Sequence, residues 1–193
     1  MLGSKFITIE GIEGAGKSTA MTGLQALLEQ YEIDYITTRE PGGTPLAEAI
    51  RELLLQHRDE QVDAMTELLL IFASRRQHVQ TVILPALQQG IWVLCDRFTD
   101  ATYAYQGSGR GLPIAIIGQL QQMVHGELSP DLTLLLDLDV SIGLSRASKR
   151  SSPDRIENQV DDFFERTRRG YLQCAAADPG RFSIISAAES QQQ

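Results

Sequence analysis

Short apolar runs alternate with longer segments of helical periodicity along the chain. Five runs predict β-strands, at 6–9, 35–38, 91–95, 132–136 and 182–185. Runs this short and this apolar are typical of strands covered on both faces, as in a parallel sheet. The intervening segments predict helices near 18–30, 45–55, 64–84, 113–126, 141–149 and 158–177. The alternation therefore predicts one α/β domain over 1–193, a three-layer, doubly wound, five-stranded parallel sheet with right-handed crossovers.

Composition and charge narrow the range of functions. The formal net charge of −8 argues against a nucleic-acid-binding surface, although arginines in a cleft can still bind small anions. No run approaches the roughly 20 apolar residues that span a bilayer, and the chain starts directly with a strand-like segment rather than a signal peptide. The cysteines and histidines show no metal-ligand spacing. We expect a cytoplasmic enzyme that acts on small molecules, without a nucleic-acid or membrane partner.

The segment after the first strand matches the phosphate-binding pattern G-x-x-x-x-G-K-[ST] at every fixed position. It follows a strand and opens a helix, which is the required context, whereas a glycine-rich turn that binds nothing is the alternative. Glycines let backbone N–H groups converge on phosphate, and the helix N-terminus adds partial positive charge. The predicted ATP-binding residues are Gly11, Ile12, Glu13, Gly14, Ala15, Gly16, Lys17, Ser18 and Thr19. We expect Lys17 to bridge the β- and γ-phosphates and Ser18 to offer its hydroxyl to Mg²⁺.

Polar residues also follow the other strands, at the edge where such folds bind ligands. Asp96 closes the third strand and is placed to order Mg²⁺ or its water shell, while Arg97 can clamp the phosphate of an acceptor. An exposed ion pair of little energetic value is the alternative for these two residues. The 39–44 turn, rich in proline and glycine, follows the second strand, and Arg51 lies on a helix that could point back to the cleft.

Three further segments suggest contacts with substrate. Phe72 and Arg75 are three apart on a predicted helix, so a ring and a guanidinium could stack a base and bond its edge. A core phenylalanine with a solvated arginine is the alternative. The glycine-rich 106–111 segment has the wrong spacing for dinucleotide binding and predicts a flexible substrate-contacting loop. The polar 148–155 segment predicts a mobile loop between helices.

Taken together, these motifs resemble those of thymidylate kinases, the bacterial enzymes that convert dTMP to dTDP. The matching segments are 9–19, 38–44, 95–98, 104–107, 109–111, 130–133 and 154–157, in order over nearly the whole chain. The resemblance implies a P-loop nucleoside monophosphate kinase fold, transfer of the ATP γ-phosphate to dTMP for dTTP biosynthesis, a requirement for Mg²⁺, and a homodimer.

The resemblance also implies roles for single residues. Arg51 and Arg97 should hold the dTMP phosphate, and Glu40 belongs to the same substrate site. Arg75 should bond the thymine edge, with Thr102 and Gln106 on the opposite side of the base. A ring stacks on thymine in this family: Phe72 is the candidate here, and Ile71 occupies the position where some members carry it. Glu13 matches a carboxylate near the acceptor sugar and the metal. The implied catalytic residues are Lys17, Arg97, Arg150, Asp96 and Glu13.

Some thymidylate kinases carry a catalytic arginine inside the P-loop, at the position of Ala15. The resemblance then implies that a lid at about 146–157 supplies the cation, from Arg146, Lys149, Arg150 or Arg155. Arg150 is the first candidate, and Arg146 and Arg150 should also contact ATP. Two alternatives stay open: another nucleotide or deoxynucleoside kinase, and a P-loop regulator that binds a nucleotide without transferring phosphate.

Overall fold

A five-stranded parallel sheet forms the centre of the fold. The structure, a computed structural model, describes residues 3–149, 155–156 and 161–188. The strands are β1 (Phe6–Glu10), β2 (Tyr35–Arg39), β3 (Trp92–Asp96), β4 (Leu132–Asp137) and β5 (Phe182–Ser186). They lie in the order β2-β3-β1-β4-β5, and every pairing is parallel. The predicted sheet is confirmed. Each strand continues one residue further than predicted, because its last residue is polar and lies outside the apolar run.

Eight α-helical segments in the described part of the chain surround this sheet. They are α1 (Lys17–Gln30), α2 (Pro45–Leu55), α3 (Ala64–His78), α4 (Leu84–Gln88), α5 (Thr99–Thr102), α6 (Ile114–Val124), α7 (Val140–Ser148) and α8 (Asp161–Ala177). Side chains cap three of them. Thr44 Oγ1 accepts from the N–H of Ala47, and the carboxylates of Asp63 and Asp139 accept from the first turns of α3 and α7. The predicted start of α8, at 158, lies outside the described residues.

The predicted helix at 64–84 is interrupted near its end. After α3 the backbone widens into a π-helical turn at Val79–Ile83 before α4 begins. Pro85 lies in the first turn of α4, has no N–H to donate, and its ring excludes the carbonyl four residues earlier. A wider turn relieves both conflicts, so Pro85 explains why the helix widens here.

The segment expected to be a flexible loop is helical instead. α5 continues into a second π-helical turn at Tyr103–Gly109, in which Ala104, Tyr105 and Gln106 are buried. This turn packs closely on α8: a Cβ added to Gly170 would lie 2.9 Å from the Cα of Ala104. The prediction of a loop at 106–111 was wrong for this part because contact with α8 stabilises a helix that lacks a periodic pattern of its own.

The buried strands at the centre of the sheet position the site. All five residues of β1 are buried, and β3 beside it is buried over Val93–Cys95. Because the strands are parallel, the carboxyl ends of β1, β2 and β3 meet at one edge. The P-loop, the 39–44 turn and Arg97 follow those three ends and therefore face each other. No helix in the described ranges is long and apolar enough to cross a membrane.

Candidate active site

A cleft of about 440 Å³ opens where the three strands end. It brings together most of the predicted site residues, although they are spread over more than 130 positions of the chain. Those that line it are Glu13, Gly14, Gly16, Lys17, Ser18, Thr19, Glu40, Arg51, Arg75, Asp96, Arg97, Thr102, Gln106 and Arg146. The P-loop and the candidate acceptor residues thus line the same cleft.

The P-loop runs from the end of β1 into the first turn of α1. Gly14 has a φ of 71°, and a Cβ there would lie 2.0 Å from the carbonyl oxygen of Gly143, so only glycine fits. Ile12 and Ala15 have their side chains in the core and can contribute only backbone groups to a ligand. Lys17 Nζ donates to the carbonyls of Gly11 and Ile12, at 3.2 and 3.1 Å. Burial, followed by repulsion from a neighbouring guanidinium, lowers the pKa of Lys17 to about 8.

Oxygen atoms near the P-loop fit a magnesium ion. Asp96 Oδ1 is buried and has no hydrogen-bond partner among the residues that the structure describes, and Asp96 lines the cleft together with Ser18. No group of three or more histidine, cysteine or acidic side chains that could hold a metal occurs in the described part of the chain. Mg²⁺ suits such a site because it prefers oxygen ligands and keeps several of its waters.

Arg97 is held by a network of buried hydroxyl and carboxylate groups. Its backbone lies in the left-handed region, with a φ of 69°. Nη1 donates to the Tyr171 hydroxyl at 2.7 Å, and Nη2 donates to Glu13 Oε1 and to the Tyr105 hydroxyl, both at 3.0 Å. The Tyr171 hydroxyl donates in turn to Glu10 Oε2 at 2.8 Å. Burial is the main cause that raises the pKa of Glu10 to about 8. The site hypotheses did not include Glu10, Tyr105 or Tyr171.

Arg75 lines the same cleft and has one buried nitrogen without a partner among the described residues. Its guanidinium lies over the rings of Phe72 and Phe98, with the Cζ atom 4.9 and 5.2 Å from their centroids. Nε donates to Glu40 Oε2 at 2.6 Å, Nη2 donates to the carbonyl of Phe98 at 3.1 Å, and Nη1 has no partner among the described residues. His78 bonds the other oxygen of Glu40 at 2.9 Å. Glu40 therefore orients Arg75, and a ligand with an acceptor atom would satisfy Nη1.

The two candidate stacking positions differ in their surroundings. Phe72 packs in the core with Leu68, Ile117 and Val124, whereas Ile71 lines the cleft. Successive residues of an α-helix are about 100° apart around its axis, so neighbouring positions face different surroundings. This placement moves our candidate for contact with the base from Phe72 to Ile71, which offers an aliphatic wall in place of a ring.

The remaining acceptor residues also lie at the cleft. Thr102 is fully buried and Gln106 nearly so, and both line the cleft from the helical segment after β3. Arg51 Nη1 donates to the carbonyl of Pro41 at 3.0 Å, which ties α2 to the 39–44 turn. The rigid turn therefore holds both Glu40 and Arg51 at one side of the cleft.

The basic residues at 146–157 separate into different environments. Arg146 lines the cleft and donates to the carbonyl of Ala187 at 3.0 Å. Arg155 is anchored to the body of the protein, because it donates to Glu67 at 2.6 Å and to the carbonyl of Leu54 at 2.7 Å. Lys149 is exposed. Arg150, the first candidate for the catalytic lid residue, lies outside the described residues.

A phosphate-binding loop that lines one cleft together with several arginines defines a class of protein, the P-loop nucleotide kinases. A family model described as thymidylate kinase matches residues 9–193 of this chain. A thymidylate kinase of Teredinibacter turnerae is 55% identical over 185 residues, covering 96% of this chain and 90% of that protein. One of Pseudomonas putida is 57% identical, covering 96% and 88%.

A solved structure agrees with this match. The crystal structure of thymidylate kinase from Ehrlichia chaffeensis aligns with a TM-score of 0.79 at 38% identity, covering 95% of this chain and 93% of that one. The chain belongs to the thymidylate kinase family. The family predicted from the motifs is therefore confirmed, and so is the prediction that the chain is a kinase.

Proposed function

We propose that this chain transfers the γ-phosphate of ATP to dTMP and so forms dTDP for dTTP biosynthesis. The observation that carries the proposal is a single cleft lined by Lys17 of the P-loop and by the partly and fully buried guanidinium groups of Arg97 and Arg75. Two phosphorylated molecules can therefore bind face to face. The family match and the names of the relatives support dTMP as the acceptor.

The reaction requires no covalent nucleophile, because the phosphate of dTMP is already an anion. An oxygen of that phosphate bonds the γ-phosphorus as the bond to the β–γ bridging oxygen breaks, and ADP leaves. Arg97 and Arg51 hold the attacking phosphate, while Lys17 neutralises the charge that spreads over the transferred group. Ser18 and Asp96 would hold Mg²⁺, which supplies further neutralisation of phosphate charge when bound.

The value of kcat/KM should depend strongly on the base of the acceptor nucleotide. In a coupled assay with dTMP, dUMP, dCMP and dGMP, we expect dTMP to give the highest kcat/KM and dUMP to follow it. We expect dCMP and dGMP to be at least about 100-fold poorer, because buried polar groups left without partners are costly. Arg75 Nη1 needs an acceptor atom, and the carbonyl oxygen at position 4 of thymine and uracil provides one, whereas cytosine carries an amino group at that position.

The same assay tests the alternative functions. A preference for another base, or for an unphosphorylated deoxynucleoside, would identify a different kinase of the same fold. A protein that binds ATP and phosphorylates none of these acceptors would instead be a nucleotide-dependent regulator. Repeating the dTMP reaction in EDTA tests the magnesium proposal. Unchanged turnover in EDTA would contradict that proposal.

We also propose that a lid at about 146–157 closes over ATP and supplies a catalytic arginine. Ala15 leaves the P-loop without a cation beyond Lys17, and Arg155 is committed to Glu67. These two observations favour Arg150 for the role. Comparing kcat of Arg150→Ala with that of Lys149→Ala separates a catalytic arginine from a merely basic segment. Equal values would contradict the assignment.

A homodimer is part of the proposal. Large apolar side chains stay exposed on three helices, at Leu46 and Leu53 of α2, Leu69 of α3, and Ile114 and Met123 of α6. α2 packs on α3 and α3 packs on α6, so these helices are neighbours. A contiguous apolar surface across these helices would be an association site. Sedimentation should give twice the mass of the chain and Met123→Glu should reduce it, whereas a monomeric wild type would contradict the proposal.

A further inference from the structure

A buried carboxylate outside the predicted site collects hydrogen bonds from two other parts of the chain. Glu67 on α3 is 1% exposed. Gln106 Nε2 donates to its Oε1 at 2.9 Å, and Arg110 donates to both of its oxygens at 3.2 Å. Arg155 Nη2 donates to its Oε2 at 2.6 Å. Of these three donors, Gln106 is the one that also lines the cleft.

Glu67 determines which end of the Gln106 amide turns toward it. Burial opposes the charge of Glu67, but the Arg110 guanidinium and the bonds from Gln106 and Arg155 outweigh it, so the pKa lies below its ordinary value. An ionised carboxylate only accepts hydrogen bonds, so the amide must turn its NH₂ group toward Glu67. The amide oxygen then faces away from Glu67. Reversing the amide would place two acceptors against each other in a buried site, which is costly.

We propose that Glu67 is a positioning residue that sets the base preference of the acceptor pocket, by holding the Gln106 amide with its oxygen on the side of the cleft. Thymine carries an N–H at position 3 beside a carbonyl at position 4. Cytosine carries a bare nitrogen and an amino group at those positions. Gln106 and Arg75 line the same cleft. An amide oxygen together with a guanidinium donor matches the first pattern and opposes the second. This inference rests on the proposed function.

A purely structural role for Glu67 predicts something different. In that case its importance would lie in neutralising Arg110 and Arg155, and its loss would weaken every acceptor alike. The two roles are separated by the ratio of kcat/KM for dTMP to kcat/KM for dCMP, because a general loss of stability or activity leaves that ratio unchanged.

The test compares Glu67→Gln with Arg110→Gln, which removes another partner of the same carboxylate. The neutral side chain at position 67 permits either orientation of the Gln106 amide. We expect Glu67→Gln to lower the dTMP/dCMP ratio by about tenfold or more, since one of two discriminating contacts loses its direction. Arg110→Gln should keep the ratio of the wild type within about threefold.

A double-mutant cycle checks that Glu67 acts through Gln106. In a Gln106→Leu background, Glu67→Gln should change the ratio by less than about twofold, because no amide remains to be oriented. Glu67→Gln places a neutral amide between two guanidinium groups, so thermal unfolding is measured for each variant. If this variant does not fold, the Glu67→Gln/Arg110→Gln double variant, which removes one of those charges, is compared with Arg110→Gln alone.

The outcomes distinguish this inference from the proposed function. A wild type that does not prefer dTMP to dCMP would overturn the proposed function. A wild type with that preference, in which Glu67→Gln leaves the ratio unchanged or Arg110→Gln lowers it equally, would overturn the role of Glu67 alone. An undiminished effect of Glu67→Gln in the Gln106→Leu background would overturn it as well.

Discussion

Replacing Lys17 with alanine should lower kcat for dTDP synthesis by about 10³-fold or more, because a cation aimed at developing charge in a dry site is among the largest catalytic contributions. Lys17 Nζ bonds the carbonyls of Gly11 and Ile12, so it already lies within the P-loop. Steady-state kinetics at saturating dTMP and ATP measures the loss.

Lys5→Ala is the matched control for this variant. Lys5 precedes β1 at the opposite end of the strand from the P-loop, where it forms a half-exposed ion pair with Asp131 at 2.7 Å. Such pairs contribute at most about 1 kcal/mol, so turnover should stay within about twofold of the wild type. Near-normal dTDP synthesis by Lys17→Ala would overturn the assignment of the P-loop lysine.

The lowered pKa of Lys17 adds a dependence on pH. Burial lowers this pKa to about 8 in the free protein, whereas bound triphosphate favours the charged amine. Binding of ATP should therefore take up a proton, and affinity should weaken as pH rises above 8. Calorimetry in buffers of different ionisation enthalpy measures this uptake. Lys17→Arg stays charged over the whole range and should lack it, so an equal uptake in both proteins would assign the proton to another group.

Local pattern was sufficient for the sheet and for the P-loop. Buried parallel strands appear as continuous apolar runs, and eight residues with a fixed spacing between strand and helix define a phosphate site. The same local argument failed at 106–109, where the helical turn depends on close contact with Gly170 of α8. A contact between segments more than 60 positions apart leaves no periodic signal in either of them.

The choice between Phe72 and Ile71 illustrates a second limit. Helical periodicity locates an apolar face to within about one position, and two adjacent apolar residues both satisfy it. Only the packing of α3 on α6 decides that Phe72 enters the core and leaves Ile71 at the cleft. Motifs alone also could not reveal the hydroxyl and carboxylate groups that orient the arginines, because each polar residue has many possible partners.

The partners of Arg97 show how far such groups are separated along the chain. Tyr171, which accepts from Nη1, lies 74 positions after it, and Glu13, which accepts from Nη2, lies 84 positions before it. Tyr105 completes the set from the turn after β3. The three partners fix both terminal nitrogens of the guanidinium. The geometry of the acceptor site therefore depends on the planar, two-nitrogen shape of the Arg97 guanidinium and not only on its charge.

Arg97→Lys should for that reason behave as a severe change, with kcat/KM for dTMP reduced by about 10²- to 10³-fold, since one ammonium group cannot replace two directed donor edges. Lysine carries the same charge as arginine and has the same cost for the left-handed backbone at position 97. Neither the charge nor the backbone would therefore explain a loss of kcat/KM. Steady-state kinetics with dTMP varied and then ATP varied should show the effect mainly in the dTMP dependence.

Arg39→Lys is the matched control, because Arg39 also ends a strand of the same sheet edge. The exposed ion pair of Arg39 with Glu48 contributes little to stability. Arg39→Lys should therefore keep kcat/KM for dTMP within about twofold of the wild type. Tyr171→Phe and Tyr105→Phe each remove one partner of the guanidinium and should give smaller losses of the same kind. If Arg97→Lys instead raised the KM for ATP and left the KM for dTMP unchanged, Arg97 would belong to the ATP site. The assignment of Arg97 to the dTMP site would then be wrong.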